Sequence, residues 1–262
     1  MSVRRCTNCA LVFTDPLIQG GEDKVGSSHS SVTDEGYHRN IIELHDHQVS
    51  LAHSKVQRLA KHYSERFGVR PSRILELGCG TGQYAAAWSA LGATWTGVEA
   101  SPDMLAFCER QGLTVLPATE LPKLPGGGFD LVYFSQVLEH VLEPRPFLQH
   151  VARLVCDGGV VHLDVPNHDS TVSVLRRLNP FSKDFGFIQP PHHLIAYTRK
   201  SLRTLMESSG FIVEELIAYA NNDATFGQLV FAPRLPHRVL MQFDSLVGTG
   251  SLLTSLARKR PS

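Results

Sequence analysis

Between residues 37 and 67 apolar side chains recur at helical spacing (Ile41, Ile42, Leu44, Val49, Leu51, Val56, Leu59, Tyr63), which predicts one or two helices ending before Gly68 and Pro71. The pattern then changes to short apolar runs separated by amphipathic stretches. RILELGC reads as a strand running into glycines, with a helix over 84–91 behind it; TWTGVEA is a second strand, followed by a helix over 102–111; LTVLPA is a short third. GFDLVYFSQ is a fourth strand that opens a helix around LEHV. Helical spacing continues over 147–155, Gly158 and Gly159 break it, and GVVHLDVP is a fifth strand. After Pro166 the alternation pauses, then resumes with a helix in KSLRTLMESSG, a strand in FIVEELIAYA, a helix over 236–247 and a last strand in GTGSLLTSLARK. Strands separated by helices imply an α/β fold, a mostly parallel sheet with helices on both faces that binds ligands at the carboxyl ends of its strands.

The first 30 or so residues lack periodicity, and IQGGEDKVGSSHSSVTDEG reads as a polar loop, equally a lid or a linker. This divides the chain into an N-terminal part (1–68) with a cysteine pair, loop and helical cap, and a main domain (69–262) carrying cap insertions at about 167–197 and 221–249. Lys and Arg together match Asp and Glu, 25 against 25, so no global field favours nucleic acid. No apolar run approaches the roughly 20 residues of a membrane span. The opening MSVRRCTNCALVF lacks the apolar core and cleavage site of a signal peptide, and the expectation is a cytoplasmic protein, monomer or homodimer. Five cysteines, one of them in a glycine-rich turn, read as reduced thiols rather than a disulfide framework.

In ELGCGTG, Gly78, Gly80 and Gly82 fall in the turn between the first strand and its helix, where glycine permits positive φ and close approach of a ligand to the backbone. The spacing is G-x-G-x-G, unlike the dinucleotide fingerprint, and it lacks the Lys-Ser/Thr of a P-loop. Glu99 ends the second strand seventeen positions after Gly82, placed to accept hydrogen bonds from both hydroxyls of a ribose. A nucleoside ligand is implied.

The series ILELGCGTG, GVEASPDML, GFDLVYFSQVLEHV and GGVVHLDVPN resembles the motif series of class I S-adenosylmethionine-dependent methyltransferases, over roughly residues 73–167. The resemblance implies a Rossmann-like seven-stranded sheet whose last strand is antiparallel, FIVEELIAYA and SLLTSLARK forming the final pair. It implies that Glu76, Gly78, Cys79, Gly80 and Gly82 surround the methionine part of S-adenosyl-L-methionine and that Glu99 holds the ribose. Ala100 and Met104 would lie near the adenine, Thr119 and Glu120 would flank its amino group, and Ser135 and Gln136 would face the methionine and the transferring methyl. Many relatives carry an aspartate in the loop of Thr119 that is absent here.

A sulfonium is an activated donor, so the protein mainly has to hold a nucleophile in line with the S–CH3 bond. A hydroxyl or acidic-carbon acceptor gains about 10²- to 10⁴-fold from a general base, and a carboxylate needs none. The base candidates are His140, His168, His192 and His193, with His193, His140 and His192 taken as the catalytic set. In QPPHHLIAYT the two prolines force an extended approach, so His192 and His193 point to opposite sides and cannot readily share a metal. HLIAYT before a helix also resembles the H-L-x-x-[FY]-[ST] segment frequent in the family, which makes His193 the family-like position, a base or a tie between cap and sheet. Glu139 finds no second acid at suitable spacing, and no metal is assigned.

Cys6-x-x-Cys9 followed by an apolar strand looks like the second half of a zinc ribbon found in a subset that includes sugar C-methyltransferases. Only that pair exists, Ala10 replaces the usual glycine, and four ligands would need a histidine from among His29, His38, His45 and His47. Phe181, Phe185, Phe187, Tyr197 and Phe226 fit either a partly apolar acceptor pocket or plain packing. The leading reading is a methyltransferase acting on a small molecule of secondary-metabolite or cofactor biosynthesis, O-methylation ahead of C- or N-methylation. The alternatives are a non-catalytic cofactor-binding partner subunit, whose signature would be a damaged turn, and a nicotinamide oxidoreductase, which needs a phosphate-binding turn.

Overall fold

The computed structural model describes residues 2–15, 41–178, 186–188, 193–219 and 249–261. An N-terminal hairpin of β1 (Ser2–Arg5) and β2 (Val12–Asp15) precedes helix α1 (His45–Phe67). Strand β3 (Arg73–Leu77), helix α2 (Ala85–Ala90), β4 (Thr94–Glu99), α3 (Pro102–Arg110), β5 (Val115–Pro117), β6 (Phe129–Ser135), α4 (Pro144–Leu154) and β7 (Val155–Pro166) then alternate. Helix α5 (Thr171–Leu178), β8 (Ile195–Ala196), α6 (Arg199–Ser208), β9 (Phe211–Tyr219) and β10 (Leu252–Lys259) follow. The main sheet has seven strands in the order β5-β4-β3-β6-β7-β10-β9; β3 to β7 are parallel, and β10 enters antiparallel to both β7 and β9.

Alternation along the strands assigns each side chain to a face. Leu75, Leu77, Val132, Phe134, Val161 and Leu163 join one core with Leu148 and Val151 of α4 and Leu202 and Met206 of α6. Ile74, Trp95, Leu131, Tyr133 and Val160 join the other, covered by Val56, Tyr63 and Phe67 of α1 and Trp88 of α2. The helical preface is thus one of the sheet's covering helices. Gly68 ends it with φ 66 and donates its N–H to Ser64 O, the left-handed cap its position in the sequence anticipates. Arg66 and His62 reach Glu215 on β9, and Arg258 donates to Phe67 O, so α1 is fastened to the far edge of the sheet.

Three features differ from the sequence reading. LEHV is a 3-10 turn, Leu138–His140, rather than the start of a helix; α4 begins at Pro144, whose ring cannot continue a preceding helix but suits a first turn. Strand β7 starts at Val155, ahead of Gly158 and Gly159, with a register shift against β6 where the chain accommodates them. The strand-like HLIAYT joins a second sheet, β1-β2-β8: β8 pairs antiparallel with β2, Val12 opposite Ala196 and Phe13 opposite Ile195. Thr198 then caps α6 in a capping box with Ser201, which is why the helix begins there. The polar stretch before Tyr37 and the helix expected over 236–247 lie outside the described residues. Among the described residues no helix is long and apolar enough to cross a membrane.

Leu163 at the middle of β7 is fully buried. Leu163→Ala is expected to cost about 2–5 kcal/mol of folding free energy, read from chemical denaturation midpoints; a loss below about 1 kcal/mol would contradict this placement of the core.

Candidate active site

Because β3 to β7 are parallel, the segments that follow them meet along one rim of the sheet. After β3 the chain turns through Gly78, Gly80 and Gly82, all with positive φ (66, 55 and 70). A Cβ at Gly78 would lie 2.6 Å from Val137 Cγ2, and one at Gly82 would overlap Leu113, so the turn closes only without side chains. Glu99, at the end of β4, accepts the Gly80 N–H on Oε2 at 2.8 Å and the N–H groups of Ala100 and Ser101 on Oε1 at 2.8 and 2.9 Å. One carboxylate thereby ties the glycine turn to the next strand end. Ser101 Oγ is buried nearby without a hydrogen-bond partner, and Met104 is buried on α3.

The other residues expected around the cofactor divide. Glu76 is buried on the α1 face, accepting from Trp95 Nε1 at 2.8 Å, and burial pushes its carboxyl up to about 8. Cys79 is also buried beneath the turn, Thr119 is exposed, and Glu120 is paired with Lys123 Nζ at 2.8 Å on the 3-10 turn Ala118–Lys123. Ser135 and Gln136 are half-buried at the end of β6. Gln136 adopts φ 59, and its Nε2 is buried without a partner, two unfavourable features at one residue of the rim.

Farther along the rim the turn after β6 meets the segment before β8. Glu139, His140 and His193 bring one ligand-type atom each within 4.8 Å of one another, a donor set that could hold a divalent cation or pass a proton. The sequence placed these residues 54 positions apart in chain order, His193 being supplied by a segment held on β2. The rings of His140 and His193 meet edge-on with centroids 4.7 Å apart. His193 Nδ1 donates to Phe187 O at 3.1 Å, which leaves Nε2 as the basic nitrogen of the neutral ring. Both oxygens of Glu139 are buried without a hydrogen-bond partner, and burial pushes its carboxyl up to about 8. Tyr197 OH donates to Leu138 O at 3.2 Å and ties the two segments together. His192, Phe181, Phe185 and Phe226 lie outside the described residues; Phe187 and Tyr197 are buried.

His168, after β7, is unsuited to act as a base. Arg177 Nη1 donates to its Nε2 at 2.5 Å, and burial with the charges of Arg177 and Arg5 lowers it to about 4. It is a fixed neutral ring whose buried Nδ1 carries the hydrogen and lacks a partner. A cation that sequence reasoning missed is Lys55 of α1, which donates to Tyr84 OH at 2.7 Å and sits 4.9 Å above the Tyr84 ring. Its only signal was a charge on an amphipathic helix, indistinguishable from a solvated face. Cys6 and Cys9 lie in the β1–β2 turn, half-buried; backbone N–H groups of Cys9 and Asn8 hold the Cys6 thiol below its usual value. No third metal ligand joins them among the described residues, and His29 and His38 lie outside those.

Residues 45–216 match a family model described as a methyltransferase domain. A ubiquinone biosynthesis O-methyltransferase of Xanthomonas oryzae pv. oryzae is 28% identical over 171 residues, covering 58% of this chain and 71% of that one. Among solved structures, a chain of the complex between the Haloferax volcanii Trm112 methyltransferase activator and a methyltransferase superposes with TM-score 0.60 at 17% identity, covering 91% of this chain and 98% of that one. A SAM dependent methyltransferase from Archaeoglobus fulgidus gives TM-score 0.56 at 20% identity, covering 80% and 94%.

Glu139 is protonated in both folded and unfolded states below about pH 4.5; between there and about pH 8 only the unfolded chain ionises, so stability falls through that window. Glu139→Gln is expected to flatten part of the fall, raising Tm more at pH 8 than at pH 5, with Glu76 left to supply the remainder. Thermal melts with the same pH dependence in both proteins would refute the buried, protonated state.

Proposed function

The chain belongs to the methyltransferase-domain family, and on that premise we propose that it transfers the methyl group of S-adenosylmethionine to a hydroxyl oxygen of a small-molecule acceptor. The observation that carries this reading is the Glu99 carboxylate held at the mouth of the glycine turn by three backbone N–H groups. That cradle suits a nucleoside with hydroxyls to be held and no phosphate to be bound. The orphaned Ser101 Oγ and Gln136 Nε2 on the same rim are polar groups that a bound ligand would satisfy. Gly78, Gly80, Gly82 and the backbone of Cys79 would line the methionine part, Glu99 the ribose, Ala100, Met104, Thr119 and Glu120 the adenine end, and Ser135 and Gln136 the side nearest the methyl. Glu76, accepting from Trp95 Nε1 at the base of the turn, would stand on the methionine side as well.

When bound, the sulfonium supplies an activated methyl group, so the chain's own part is to exclude water, align the acceptor and take its proton. His193 is the favoured base: Phe187 O orients its ring with Nε2 basic, and His140 lies edge-on beside it. The resemblance to an O-methyltransferase at 28% identity supports oxygen over carbon or nitrogen as the atom methylated. The segment around His193, held on β2 through β8, would shape the acceptor pocket. An intact turn and an intact Glu99 speak against a non-catalytic partner subunit.

A second reading is favoured by the Glu139, His140 and His193 group, whose mixed carboxylate and imidazole donors would let a divalent cation lower the acceptor's hydroxyl pKa. Turnover that falls on chelation and returns with added magnesium, manganese or zinc would select it, and chelator-resistant turnover would leave the histidine base alone.

Calorimetric titration should show binding of S-adenosylmethionine and no binding of NAD; the reverse would sink the proposal. Glu99→Ala is expected to weaken cofactor binding by roughly 10- to 100-fold, the loss of charge-assisted hydrogen bonds. His193→Ala should lower turnover by about 10²-fold with cofactor affinity unchanged; full turnover would return His193 to a structural role.

A further inference from the structure

Among the described residues only two other than glycine have positive φ, and one of them is Gln136 (φ 59), the first residue beyond β6. The left-handed region is costly for a side chain of this size, so neighbouring structure must hold it there. Its N–H donates to Asp164 O of β7 at 2.9 Å, and the next residue, Val137, lies against Gly78, where an added Cβ would come within 2.6 Å of Val137 Cγ2. The residue is thereby fixed between the glycine turn and the 3-10 turn Leu138–His140. Its Nε2 is buried and has no hydrogen-bond partner among the described residues. Three residues on, both oxygens of Glu139 are in the same condition. A strained backbone and an orphaned amide at one residue both work against folding, and a ligand that accepts from the amide supplies the compensation.

We propose that Gln136 selects the methyl acceptor by donating from Nε2 to a carbonyl oxygen next to the hydroxyl that is methylated, so that the acceptors are hydroxy ketones and hydroxy esters. The inference deepens the proposed methyl transfer and rests on it. An amide nitrogen offers hydrogens and no lone pair, so its partner must be an oxygen with lone pairs to spare, and a carbonyl oxygen has two. A carboxylate in the same place would be buried on the same turn as the Glu139 carboxyl. The half-buried cations Lys55 and Arg177 are already engaged, one with Tyr84 OH and the other with His168. The acceptor thus presents two oxygens to one turn: a carbonyl oxygen to Gln136, and the reacting hydroxyl to the Glu139 and His193 group, whose atoms can accept its hydrogen.

Selectivity follows from the cost of the bond left unmade. An analogue without the carbonyl enters the site and leaves Nε2 as orphaned as before. A site built around a hydrogen bond rejects such an analogue far more strongly than an apolar pocket rejects a missing methylene. Donation to a carbonyl conjugated with the hydroxyl also draws electron density from it and eases loss of its proton. The amide itself does not titrate, so the preference it imposes is constant over the pH range in which a histidine base gains and loses its proton.

The full chain with S-adenosylmethionine would be assayed on ortho-hydroxyacetophenone and on ortho-ethylphenol, which is close to it in shape and lacks the carbonyl oxygen, while S-adenosylhomocysteine affinity is measured by calorimetry. The expected result is a kcat/KM at least about tenfold higher for the ketone. Gln136→Leu and Gln136→Glu should abolish that preference and change S-adenosylhomocysteine affinity by less than about threefold. Gln136→Gly, which relieves the left-handed backbone, should raise Tm while losing the same preference, a pair of effects that a purely structural glutamine would not give. The proposal is overturned by equal or absent turnover of the two phenols, by a preference that survives in the leucine and glycine variants, or by loss of S-adenosylhomocysteine affinity in them, which would turn the amide toward the cofactor. A wild-type chain that binds no S-adenosylmethionine would sink the cofactor reading and this proposal with it, whereas binding without the ketone preference sinks the proposal alone.

Discussion

Parallel pairing of β3 to β7 is the constraint from which the rest of the molecule follows. A parallel neighbour can be reached only by a crossover, so every strand delivers its carboxyl end to the same rim and each crossover helix to a face. The glycine turn, Glu99, Gln136, Glu139 and His168 come from four different strand ends and still converge. The antiparallel β10 is what lets the far edge close without another crossover, and it brings Thr254 beside Asp164.

The same register sets a row of polar side chains across the α1 face. Glu76 is opposite Tyr133, and Tyr133 opposite His162. His162 Nδ1 shares a short hydrogen bond of 2.5 Å with Tyr63 OH of α1, its Nε2 meets Thr254 Oγ1 at 2.9 Å, and Thr254 in turn donates to Asp164. Burial works against ionisation of Asp164, but His162 and the Thr254 hydroxyl outweigh it and hold the carboxyl below its usual range. Glu139 lacks such neighbours, and at Glu76 the Trp95 N–H and the charge of Lys55 do not offset burial, which wins in both. Three buried acids thus differ in charge through their partners, since all three are equally enclosed.

What the sequence disclosed and what it hid follow from the range of the interactions. Strands β3, β4, β6 and β7 were legible because each is an apolar run bounded by glycine or proline, and the glycine turn and Glu99 because both lie within one strand–turn–strand unit. LEHV was misread because Pro144 and Pro146, a few residues on, decide where a helix can begin. The pairing of β2 with β8 had no local sign: β8 is two residues long, and its partner sits at the other end of the chain. For the same reason Glu139 and His193 could be named separately but not brought together, and the left-handed backbone of Gln136 is a strain that residue type alone argues against.

That pairing also orders events in time. Phe13 and Ile195 are 182 positions apart, so the hairpin leaves the ribosome long before its partner strand exists, and the loop their pairing closes encloses most of the main sheet. The glycine turn, by contrast, is closed by Gly80 and Glu99 only 19 positions apart. Loop-closure entropy therefore makes the glycine turn with Glu99 an early product of folding and the corner where β8 positions His193 a late one.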